Sequence, residues 1–190
     1  QTTYNTYVDG GSPITWTASS NSHGGQTPTV TIGASQGGTV NFFNGEIDQV
    51  RVFNKALSQS EVTTLYNETT STVNTLQVLG DSSCVATYTF EGNANDLSTN
   101  YNGTASGNIT YDYSGTASNA VYVTGKFGKA FDFSANTTTY SGTSSFISFA
   151  NDMSRQNDYS WSFWIKSTGT ISNYATIISF YGSYYNYIYF

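Results

Sequence analysis

Ionic side chains are scarce in this chain. Asp, Glu, Lys and Arg make up only 9% of its 190 residues, against about 25% in an ordinary soluble domain. Six cations and twelve acids leave a net charge of -6, so no basic stripe is available to neutralise phosphates, which makes nucleic acid and anionic membrane poor partners, and no nucleic-acid partner is expected. Cys84 is the single cysteine, which rules out an internal disulfide and a thiolate zinc cluster. His23, the single histidine, cannot build a histidine metal site. No apolar run approaches the roughly 20 residues needed to span a bilayer, and the first residues carry neither a basic nor an apolar export region. The expectation is a soluble chain without membrane insertion, any export signal lying outside it. Two prolines leave little to interrupt strands.

Hydroxyls, amides and rings are abundant instead. Twenty-nine Thr, 26 Ser and 18 Asn, with 12 Phe, 3 Trp and 16 Tyr, describe a surface wetted by neutral polar groups. Short runs alternating aromatic or β-branched residues with polar ones predict antiparallel strands at 29–32, 47–53, 85–90, 146–149 and 159–165, separated by Gly, Asn and Ser clusters. The architecture expected is an all-β, two-layer sandwich. One segment breaks the period. Ser58 and Glu61 form an S-x-x-E capping box, and Leu57, Val62, Leu65 and Tyr66 follow at helical spacing, which predicts one short helix near Ser58 to Tyr66. The aperiodic, hydroxyl-rich stretch 69–83 reads as a linker.

The stretch Phe43-Asn-Gly-Glu-Ile-Asp-Gln-Val-Arg-Val-Phe-Asn-Lys-Ala-Leu-Ser58 resembles the last strand and closing helix of the laminin G-like jelly rolls, within the concanavalin A-like lectin/glucanase superfamily. Tyr7-Val8-Asp9-Gly10 is similar to a strand and turn of the same C-terminal half. Beyond the linker, 86–96, 101–104, 125–133 and 160–166 resemble the family's early strands in order. The resemblance therefore implies a jelly roll whose halves come in reversed order. Residues 1–68 read as a C-terminal half, 69–83 as a linker, and 84–190 as the N-terminal half of the next repeat, or of one permuted sandwich. A window from a longer tandem-repeat polypeptide explains that order.

Four groups of residues are candidates for chemistry. Glu46 and Asp48 resemble part of the glucanase motif. At i and i+2 on a strand they share a face roughly 7 Å apart, whereas a retaining glycosidase needs about 5 to 5.5 Å, and the motif's further acid is replaced by Val50 or Arg51. No catalytic residue is assigned, and the expectation is that Asp48 bonds to loop backbone or a neighbouring cation. Asp96, Ser98, Asn100 and Asn102 place oxygens at alternate positions, a spacing suited to a weak structural Ca²⁺ site or, equally, to a plain turn. Trp164, Tyr185, Tyr187 and Tyr189 supply rings for stacking on sugars or for burial. Sequons at Asn67, Asn102, Asn108 and Asn136 arise by chance in a chain so rich in Asn and Thr, and His23 reads as a loop residue.

The function expected is a non-catalytic carbohydrate-binding or adhesion module, repeated in a bacterial surface protein or in a phage tail or decoration protein. It would act outside the cell, at a cell surface or on a virion, with a glycan or surface polysaccharide and neighbouring copies of the repeat as partners. The alternative is a spacer or decoration domain without ligand, and a glycoside hydrolase is the weaker third reading. Much of this rests on analogy at the level of the fold.

Overall fold

The computed structural model describes residues 2–18, 29–35, 38, 41–69, 74–106, 122–133, 146–149, 158–167, 175–181 and 185–189. Their twelve strands and single helix form an antiparallel β-sandwich with a hairpin attached. No helix among them is long and apolar enough to cross a membrane.

The first sheet is organised on the longest strand, β4 (Gly45–Phe53). One edge of β4 pairs along its length with β10 (Ser160–Ser167). Its other edge is shared: Glu46 and Ile47 pair with β8 (Lys129–Asp132), and Val50 to Phe53 with β5 (Cys84–Tyr88). β7 (Tyr122–Thr124) completes the sheet beyond β8. The second sheet runs β12 (Tyr185–Tyr189), β11 (Thr176–Tyr181), β3 (Thr29–Ile32), β9 (Phe146–Phe149) and β6 (Gly103–Ser106). Both sheets interleave strands from before residue 69 with strands from after residue 83.

The layers close on each other through apolar side chains from both sheets. Val30 and Ile32, Ile47, Val50 and Val52, Ala86 and Tyr88, Phe131 and Phe133, Ile147 and Phe149, and Ile177 and Ile178 form one cluster, nearly all of it under 5% exposed. From β10, Tyr159, Trp161, Phe163 and Ile165 pack against that cluster, while Trp164 takes the opposite face, as alternation predicts. Within β4 strict alternation fails. Gln49 has φ +50 and the pairing with β10 slips between Ser162 and Trp164. This bulge lets Ile47 and Val50 both face the core although they are three residues apart. Asp48, Arg51 and Phe53 are therefore turned to the outer face, where they are nonetheless buried.

The helix explains why. α1 (Gln59–Tyr66) starts at the expected capping box: Ser58 Oγ accepts from Glu61 N–H and the Glu61 carboxylate accepts from Ser58 N–H. It lies over the outer face of β4, with Leu65 packed on Phe53 and Cys84. Leu57, Leu76, Val78 and Leu79 pack around them. The described part of the linker stretch is thus a packed cover and no loose tether, because its spaced apolar residues find a groove beside α1. Just after α1, Glu68 takes both Nη groups of Arg51, at 2.7 and 2.5 Å, with both side chains about 1% exposed.

Among the described residues, β1 (Thr2–Thr6) and β2 (Ile14–Ala18) pair only with each other, Tyr4 opposite Trp16. Their connecting turn rests on α1. Gln59 Nε2 donates to the carbonyls of Gly10 and Gly11, and Gly10, at φ +69, lies so close to the Tyr66 ring that a Cβ would meet it at 2.9 Å.

Candidate functional site

The outer face of the first sheet carries an aromatic cluster centred on Trp164. Register places Trp164 beside Asp48. Tyr66, at the end of α1, stacks on Trp164 with ring centroids 5.6 Å apart and planes at 29°. Phe127 meets it in a T-shaped contact at 6.3 Å, and Lys126 Nζ lies 4.4 Å from its ring centroid, a cation–π distance. Trp164 is half-buried under these neighbours, while Tyr66 remains 43% exposed. Lys126 is exposed and makes no ion pair among the described residues.

Lys126 and Phe127 are held there by carboxylates. The β7–β8 turn closes with Gly125 N–H donating to Gly128 O, and Asp48 Oδ2 accepts from Phe127 N–H at 2.9 Å. A Cβ on Gly125 would meet that carboxylate at 2.6 Å, so the turn needs glycine at this point. Glu91 Oε1 accepts from Lys129 N–H on the far side. Asp48 is 2% exposed, and its Oδ1 has no hydrogen-bond partner among the described residues. Burial pushes its carboxyl up to about 6; hydrogen bonds from the Phe127, Gln49 and Lys126 backbone oppose the shift, and the Glu91 charge adds to it. Asp48 thus bonds loop backbone, as expected of it. Glu46 is engaged by Lys166 Nζ through both oxygens, at 2.9 and 3.1 Å.

The 96–102 loop is bonded to itself and to β5. Asp96 Oδ1 accepts from Thr87 N–H at 2.8 Å, Oδ2 accepts from the Ser98 hydroxyl, and Asn102 Oδ1 accepts from Asp96 N–H. Ser98 Oγ in turn accepts from Asn100 N–H. These are Asx-type turn bonds, and the one carboxylate has both oxygens turned to protein donors. Such a donor set does not fit calcium. Among the described residues no three His, Cys, Asp or Glu side chains gather. We expect chelation to leave the melting temperature unchanged, and Asp96→Ala to lose about 1–3 kcal/mol by orphaning buried Thr87 N–H, equally with and without calcium. A chelator-dependent drop in melting would reverse this assignment.

Of the other ring candidates, Tyr185, Tyr187 and Tyr189 have their backbones in β12, with Tyr187 in register with Ser179; their side chains lie outside the described residues, as do His23, Asn108 and Asn136. The sequons at Asn67 and Asn102 sit on exposed residues, Asn67 as the C-cap of α1. From sequence, Tyr66 reads as part of the helix's apolar face and Lys126 as part of the strand-like stretch 125–133, neither as a site residue; the seat of the Lys126 turn on Asp48 lies 79 residues away.

A second apolar surface belongs to the hairpin. Val8, Ile14 and Trp16 are 61%, 65% and 49% exposed, three of the five large apolar residues that the described surface presents. Trp16 stacks on Tyr4 with centroids 4.3 Å apart and planes at 14°.

Two antiparallel sheets, a closing strand and a capped helix over its outer face form a β-sandwich consistent with the concanavalin A-like architecture. The family model described as "Concanavalin A-like lectin/glucanases superfamily", laminin G type, matches residues 1–63. The start of the chain is accordingly laminin G-like. No curated protein and no solved structure matches the chain.

Proposed function

We propose that this chain is a non-catalytic carbohydrate-binding module, closed as one permuted sandwich and acting outside the cell on a surface or virion. The observation that carries the reading is the Tyr66–Trp164 pair with Lys126 above it. A half-exposed ring backed by a second ring and beside a cation suits the C–H face and hydroxyls of a sugar. Support for the permuted closure comes from β4, whose two edges are filled by β5, β8 and β10.

Hydrolysis is not part of the proposal. Asp48 is committed to the Phe127 amide and Glu46 to Lys166, so neither carboxylate is placed to serve as the acid or nucleophile of a glycosidase. Repetition in a parent polypeptide would raise the avidity of a weak single site through effective concentration. The test is a glycan array with a multivalent form of the chain, followed by titration calorimetry on any hit. Tyr66→Ala should weaken the titrated sugar at least about tenfold while leaving the melting temperature within a few degrees, since Tyr66 is largely a surface ring. A silent array, or a hit indifferent to Tyr66→Ala and Lys126→Ala, would remove the reading. The alternative, a structural module, is favoured by a different observation, the uncovered hairpin.

A further inference from the structure

The β1–β2 hairpin is anomalous on three independent counts. Among the described residues it is a two-stranded sheet that pairs with neither layer, and isolated hairpins are marginal in water. Each residue from Gly11 to Thr17 is exposed, so β2 offers solvent both faces and, among the described residues, an unpaired outer edge. Soluble proteins usually guard such an edge with charge, proline or a bulge. Here the strand Ile14-Thr-Trp-Thr-Ala18 holds neither charge nor proline, and its register with β1 runs without a shift.

Charge distribution points to what covers it. Residues 1–45 contain a single ionic side chain, Asp9, while the other eleven acids and all six cations follow. Two copies of a chain with net charge -6 repel over most of their surfaces. Within the hairpin, residues 2–18, Asp9 alone is ionic. The strand is also self-complementary in sequence. Antiparallel pairing of β2 with itself about a two-fold axis at Trp16 sets Trp16 opposite Trp16 and Thr15 opposite Thr17, both pairings that stabilise sheets, and covers Ile14 and the free flank of the Tyr4–Trp16 stack.

We infer that β2 is a homotypic docking edge: two copies of this chain join through antiparallel pairing of Ile14–Ala18, making a four-stranded sheet from two hairpins. The interface is isologous, as a closed dimer requires. Its strand Ile14–Ala18 shares no residue with the Trp164 cluster, although the turn at Gly10 touches Tyr66, and it does not depend on the carbohydrate reading. For two modules in one array, or on two particles, it supplies adhesion of like to like.

The register makes a specific test. Thr15→Lys with Thr17→Lys in one chain opposes lysine to lysine at both symmetry-related positions. Thr15→Lys with Thr17→Glu opposes lysine to glutamate at both. Sedimentation of the 190-residue chain from micromolar to sub-millimolar concentration should show a monomer–dimer equilibrium for the unmodified protein. The double-lysine variant should be monomeric throughout, and the lysine–glutamate variant dimeric and salt-sensitive. All three should share the main melting transition, because the hairpin belongs to neither layer. The inference is overturned if the unmodified chain stays monomeric over the whole range, or if the two variants associate alike. Monomer that instead binds a different protein through the hairpin would count against it as well.

Discussion

Arg51→Ala is expected to destabilise the protein by about 3–5 kcal/mol, the loss that follows when one member of a buried ion pair is removed and the other is left without its charge partner. Glu68 sits at about 1% exposure against both Nη groups of Arg51, and Gln49 Oε1 accepts from Arg51 Nη2 at 3.3 Å. Truncation would strand the Glu68 carboxylate beneath α1 and release the chain that leaves the helix. Replacing both partners by apolar residues of similar volume, Arg51→Met with Glu68→Leu, should restore most of the lost stability, since desolvation no longer has to be offset. Urea unfolding of the two singles and the double decides the matter. If Glu68→Ala and Arg51→Ala each cost under about 1 kcal/mol, the pair behaves as a surface salt bridge and its burial has no energetic weight.

The second large effect is a pH dependence that runs opposite to the usual behaviour of an acidic group. Asp48 has its carboxyl raised from 3.8 to about 6. Between those values the native state holds a proton that the unfolded chain has released, so stability from this group falls as pH climbs through the window. At about 1.4 kcal/mol per pH unit, the deficit at neutral pH reaches about 3 kcal/mol. Asp48→Asn keeps an oxygen for the Phe127 amide and removes the ionisation. Its melting temperature should exceed that of the unmodified protein at pH 7.5, and the difference should shrink towards pH 4. Glu61 and Asp81 titrate below their ordinary values because Lys55 donates to both. Their contribution therefore has the other sign, and only the difference between variant and parent isolates Asp48. Parallel pH profiles for the two proteins would show that the turn over Asp48 opens enough to solvate it.

What was legible in the sequence is what local chemistry decides. The capping box at Ser58 and Glu61 is complete within four residues, and α1 begins where it says. β3 and β9 have the bounds that alternation predicts, 29–32 and 146–149. Where a feature depends on residues far apart, local reading failed. Alternation through Glu46 to Phe53 sets Val50 on the face of Asp48, and only the bulge at Gln49 corrects it. Leu76, Val78 and Leu79 read as linker because the groove that buries them is made by Phe53, Leu65 and Cys84. Trp164 stood out as a ring, but its setting comes from Tyr66 and Lys126, on a helix and a turn with no sequence relation to β10. The hairpin's separateness from both layers has no local signature, since its strands alternate like any others.

The interleaving of the two sheets has a consequence for how the chain acquires its structure in time. Ile47 is in register with Phe131 and with Ile165, and Val30 with Phe149 and Phe180. The pairs of β3 with β9 and β11 and of β4 with β10 each close a loop of more than half the chain, while β4 meets β5 and β8 across shorter ones, and loop-closure entropy must be met before the distant contacts repay it. During synthesis from the N-terminus the segment 29–53, uncharged until Glu46 and rich in β-branched and aromatic residues, emerges long before its partners. Its first strand partner is β5, and its other partners, β8 to β11, follow only after residue 128. Folding should accordingly be slow for a domain of this size, and the early segment is exposed to association with other nascent copies throughout that wait. Holding the helix and its ion pair close behind β4 in sequence gives that segment one local ally, α1, which can cover Phe53 while the remaining strands are still being made.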